Sequence, residues 1–97
     1  MDIISEELKA FLSRLGTNPD SVDKKTAHYM EHILRLLPAE QETMVKEFFG
    51  LPGTDRLSTQ KIADRHGLTT DEADGIITSG IRKLAVTPEW QMIKQTI

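Results

Sequence analysis

His28, Tyr29, Met30, Glu31 and His32 make an H-x-x-E-H pattern, in which two imidazoles one helical turn apart can share a zinc ion while the glutamate acts as general base. Zinc catalysis also needs a third protein ligand and a cleft. The same segment places Tyr29, Met30, Ile33 and Leu36 along one face of an expected helix, which turns both histidines toward solvent. The pattern therefore reads as helix surface, and neither a metal nor a cofactor is expected. The chain has no cysteine, which removes thiolate ligands, disulfides and cysteine nucleophiles together. No glycine-rich phosphate loop, Ser/His/Asp arrangement or close carboxylate pair stands out, so an enzyme is not expected.

The other residues able to do chemistry are bases. Lys61 and Arg65 lie one turn apart, and Arg82 and Lys83 close a later segment. Cations in such positions can neutralise phosphates, each contact contributing about −0.9 to the slope of log affinity against log salt. They can equally be solvated, and Arg82 and Lys83 also complement the negative end of a helix.

These residues sit in a chain of 97 residues, enough for a single core. With 38% hydrophobic and 28% charged residues the chain has a globular make-up, and an aromatic content of only 5% points to an aliphatic, helical interior. No apolar run reaches the roughly 20 residues of a membrane span, and the N-terminus lacks signal-peptide features, so a cytoplasmic protein with no membrane partner is expected. The formal net charge of −3 opposes nucleic acid weakly instead of recruiting it.

Apolar periodicity and punctuation predict an all-α chain. Ile4, Leu8, Phe11, Leu12 and Leu15 define a first helix that is stopped by Gly16 followed by Asn18-Pro19. A second helix starts near Asp20 or Ser21 and carries Val22, Tyr29, Met30, Ile33, Leu36 and Leu37 on one face. Pro38 suits the first position of a third helix, which presents Met44, Val45, Phe48 and Phe49 and ends at Gly50. Ser58 caps a two-turn helix that buries Ile62 and Ala63 and ends at Gly67. Thr69 and Glu72 make a capping box for a longer helix with Ala73, Ile76, Ile77, Gly80, Ile81 and Leu84 on its stripe. Thr87-Pro88 opens a terminal helix with Trp90, Ile93 and Ile97 inward.

A two-turn helix, a tight turn at Gly67 and a longer capped helix form a helix-turn-helix by spacing. Around it, LPAEQETMVKEFFGL, DRLSTQKIADRHGLT and IITSGIRKLA resemble region 4, the C-terminal domain, of principal-family bacterial sigma factors. The resemblance runs from Leu37 to Leu84, about half the chain. Phe49-Gly50-Leu51, Leu57-Ser58 with Ile62-Ala63, Gly67-Leu68-Thr69 and Ile81-Arg82-Lys83-Leu84 carry it. It implies that residues 37–86 form a sigma domain 4-like unit, preceded by two extra helices in 1–36 and followed by a short helix in 87–97.

In that family the last helix reads promoter bases and a hydrophobic groove holds the flap of the RNA polymerase β subunit. Aligned on Gly67 and Arg82-Lys83, the family's usual arginines fall on Thr70, Glu72 and Asp74 and its usual glutamine on Gly75. Asp71 agrees with the family, which commonly has a glutamate there. Guanine is read by bidentate Arg or Lys and adenine by Asn or Gln, and no such side chain occurs between Thr69 and Ile81. The first-turn acids have a second, structural reading, since carboxylates there favour the helix dipole by about 0.3 to 1 kcal/mol.

The expectation is thus a transcription regulator that docks on the polymerase β flap, with Leu37, Met44, Val45, Phe48, Phe49 and Ile62 as its groove. Most apolar stripes of this kind are core. The alternatives are a DNA-binding regulator using Lys61, Arg65, Thr70, Arg82 and Lys83 on promoter DNA, and a sigma mimic that captures an anti-sigma factor.

Overall fold

A computed structural model describes residues 3–51 and 55–96. The side chains of Ile4 and Ile97, both expected on inner faces, lie outside the described residues, as do Pro52 to Thr54 of the expected loop. The described residues form α1 (Ile3–Thr17), a 3-10 turn (Pro19–Ser21), α2 (Lys24–Leu34), α3 (Ala39–Phe49), α4 (Thr59–His66), α5 (Thr70–Ala85) and α6 (Pro88–Thr96), with no strand among them.

Several helix ends follow from local chemistry. Ser58 accepts the Lys61 N–H and starts α4, which Gly67 ends in the left-handed conformation at φ +66°. Gly50, at φ +64°, ends α3 in the same way. Thr69 and Glu72 make the reciprocal capping box of α5: the Thr69 N–H donates to Glu72 Oε1 at 2.9 Å and the Glu72 N–H to Thr69 Oγ1 at 3.1 Å. Thr87 serves α6, its Oγ1 accepting from the Trp90 N–H at 3.2 Å.

α1 ends at Thr17, between Gly16 and Asn18-Pro19, where the sequence places its stop. Two boundaries differ from the sequence reading. Pro38 is the N-cap of α3 and not its first turn, at an extended ψ of 148°. The second helix is shorter than expected, because Pro19–Ser21 closes a separate 3-10 turn, Val22 is extended and Asp23 is the cap. Arg14 locks that turn onto α1 by donating to Ser21 Oγ at 2.9 Å and Ser21 O at 2.7 Å. The apolar face expected for the second helix is divided. Val22, Met30, Ile33 and Leu37 are buried, whereas Tyr29 and Leu36 are 46% and 60% exposed.

α5 is the central helix, packed against α1, α3, α4 and α6, while α2 packs on α6. Residues 1–36 therefore share one core with the rest, including Leu8, Leu12, Met30, Met44, Ile62, Ile81, Leu84 and Trp90. Two glycines allow close packing. A Cβ on Gly16 would run into the Phe49 carbonyl oxygen at the end of α3, and one on Gly80 would sit 3.1 Å from both Gln41 Cγ and Val45 Cγ2. Gly75 has open space around it and no packing reason to be glycine. Trp90, 5.5 Å from Phe11 ring to ring, is buried with its indole N–H unpaired among the described residues. Lys94 and Glu7, 2.9 Å apart, tie α6 to α1.

Candidate functional site

The face built by α4 and α5 holds every residue expected to touch DNA. α4 is amphipathic: Ile62 and Ala63 are buried, and Lys61 and Arg65 are exposed on its outer side. The turn at Gly67 and the capping box aim the start of α5 outward, so Thr70, Asp71, Glu72, Asp74 and Gly75 are all exposed. Arg82 and Lys83 are exposed near the opposite end of α5, about 18 Å along the axis from Thr70 at 1.5 Å per residue. Arg82 and Lys83 thus lie at the opposite end of α5 from its acids. Asp74, Gly75, Thr78, Ser79, Arg82, Lys83 and Val86 line a shallow groove of about 550 Å³ on it.

Two of the expected phosphate contacts have protein partners. Arg65 Nη1 lies 3.0 Å from Glu47 Oε2, and His66 Nε2 lies 2.9 Å from Glu47 Oε1. The Glu47 side chain is only 3% exposed, so two residues of α4 satisfy a carboxylate of α3 in a place where an unpaired charge would be costly. Lys83 Nζ reaches Gln41 Oε1 at 3.4 Å, while Gln41 Nε2 donates to the Ile76 carbonyl at 2.8 Å and bridges α3 to α5. Lys61 and Arg82 make no ion pair among the described residues.

The carboxyl of Glu72 is held below the ordinary glutamate range, first by the Thr69 backbone N–H and then by the Thr69 hydroxyl. The acid at this position is therefore committed to capping its own helix. Asp71 and Asp74 make no such bond among the described residues.

The expected groove is closed. Leu37, Met44, Val45, Phe49 and Ile62 are buried in the core, and of the six named residues only Phe48 is half-buried. The α3 residues among them point inward because α3 packs against α1, α4 and α5 at once, which leaves only part of Phe48 open to a partner. Exposed apolar surface occurs elsewhere, at Tyr29, Leu36 and Met92, the last 64% exposed. Tyr29 joins two shallow pockets between α2 and α6, of about 380 and 360 Å³.

His28 and His32 are exposed, with ring centroids 5.0 Å apart in an edge arrangement, and His28 Nδ1 is 4.0 Å from Glu31 Oε2. Among the described residues no group of three or more His, Asp or Glu side chains is placed to hold a metal. No described helix is long and apolar enough to cross a membrane.

Sequence reasoning missed Glu47 and Gln41. Both lie on the helical row of Met44, three residues to either side, which is the one signal that placed them inward. Compared with protein-family models, curated proteins and solved structures, the chain matches none.

Proposed function

We propose that the chain is a transcription regulator that works by docking on RNA polymerase, with α4 and α5 as a helix-turn-helix in the manner of sigma domain 4 and little or no reading of promoter bases. The observation that carries this reading is the exposed leading end of α5, which offers Thr70, Asp71, Asp74 and Gly75 where base recognition needs Arg, Lys, Asn or Gln. Carboxylates there also oppose phosphate approach. The engagement of Arg65 with Glu47 supports it further, since that guanidinium already has a partner.

In this reading the β flap lies as an apolar helix against the surface between α2 and α6, anchored on Tyr29, Leu36 and Met92. The test is capture of a purified β-flap fragment by the full chain. Binding at tens of micromolar or tighter, weakened when Tyr29 and Met92 become serine, supports the reading; no binding in that range removes it. Lys61, Arg82 and Lys83 favour a second reading in which the face of α4 and α5 rests on duplex DNA through phosphates alone.

A further inference from the structure

The outer face of α5 has a charge order that is its own complement. Asp71, Gly75, Thr78 and Arg82 fall at i, i+4, i+7 and i+11, one row along the exposed side of the helix, with Asp74 and Ser79 flanking it. The row is acidic at its N-terminal end, small in the middle and basic at its C-terminal end. No described residue covers it: beyond its chain neighbours and its own helix backbone, nothing lies within 4 Å of where a Gly75 Cβ would be, and Asp71, Asp74 and Arg82 have no ion-pair partner among the described residues.

We infer that this face pairs with the same face of a second copy of the chain, the two α5 helices running antiparallel about a two-fold axis. An axis midway along the row sets Asp71 of each copy opposite Arg82 of the other, because both lie about 8 Å from the centre at 1.5 Å per residue. Gly75 then meets Thr78, and Asp74 meets Ser79. The register is isologous, as a two-fold dimer requires, and the small central residues let the backbones approach closely enough for both terminal pairs to form. A parallel arrangement would set acid against acid and base against base. The choice of a second copy over any other partner rests on this complementarity of charge.

The face is small. α5 has 16 residues and is about 24 Å long, so the contact falls below the roughly 800 Å² per partner of a standard interface. Association is accordingly weak, on the order of 10 to 100 μM, and salt-sensitive. This pairing would cover the leading end of α5 and stands independently of polymerase docking.

The test is sedimentation of the full chain from 5 to 500 μM at 20 mM salt, repeated at 500 mM salt. The mass should rise from 10.9 kDa toward twice that value at low salt, with the apparent Kd at least tenfold weaker at high salt. Asp71→Arg and Arg82→Asp should each weaken dimerisation tenfold or more, and the double variant D71R/R82D should restore it. Gly75→Gln, whose side chain meets open space in the single chain, should keep the helical circular dichroism and leave the melting temperature equal or higher while abolishing the dimer. A monomer at every concentration overturns the inference. So does a dimer that survives Gly75→Gln and both charge reversals, and that outcome would move self-association to the apolar surface between α2 and α6.

Discussion

The Glu47 carboxylate and the Arg65 guanidinium meet at 3.0 Å across the junction of α3 and α4, the acid almost fully buried and the base 63% exposed. Charge-assisted hydrogen bonds to buried groups contribute about 1.5 to 3 kcal/mol, and the exposure of Arg65 reduces that figure. Arg65→Ala should therefore lower stability by about 1 to 2 kcal/mol in urea unfolding, more than a surface substitution does. A change within about 0.5 kcal/mol would show that the bridge contributes nothing and that Arg65 is free for another role.

The glycines divide by what surrounds them. Gly16→Ala drives a methyl into the Phe49 carbonyl, which no side-chain rotation relieves, and should destabilise the chain by about 2 kcal/mol or more. Gly75→Ala meets open space and should stabilise α5 by up to about 1 kcal/mol. Thermal melts of the two variants should shift in opposite directions. A shared direction would contradict the packing of α1 on the end of α3.

Helix ends were legible where one residue type does one job. Ser58, Thr69, Gly50 and Gly67 each act as their type and position predicted, because caps and left-handed stops are local. The start of α2 was not legible. Val22 continues the apolar rhythm of the helix after it, yet it reaches the core from an extended link between a 3-10 turn and α2. The candidate site was legible only on α5, whose exposed side follows from its own periodicity. The closure of the Met44 and Phe49 face involves α1 as well as α4 and α5, and the resemblance to sigma domain 4 does not cover α1. The Glu47 bridge joins residues 18 and 19 positions apart, beyond the reach of any local pattern.

The capping box gives a pH signature. Glu72 is held below its ordinary value of 4.5, so its contribution is present above that value and is lost as pH falls through the lowered one. Glu72→Gln can keep the reciprocal bond without titrating. The stability difference between wild type and Glu72→Gln should be flat from pH 7 to about 5 and change below 4.5 in the direction that disfavours wild type. A difference that stays constant down to pH 2.5 would mean the Thr69 bonds do not hold in solution.

The central claim of the proposed function is that α5 takes the place of a base-reading helix without its donors. Selection of binding sites from random duplex DNA by the full chain tests this most directly, with affinity then measured across salt. We predict no enriched sequence and a slope of log affinity against log salt no steeper than about −2.7, the value for three phosphate contacts at Lys61, Arg82 and Lys83. Enrichment of a defined site whose binding is lost on Thr70→Ala or Asp71→Ala would contradict it.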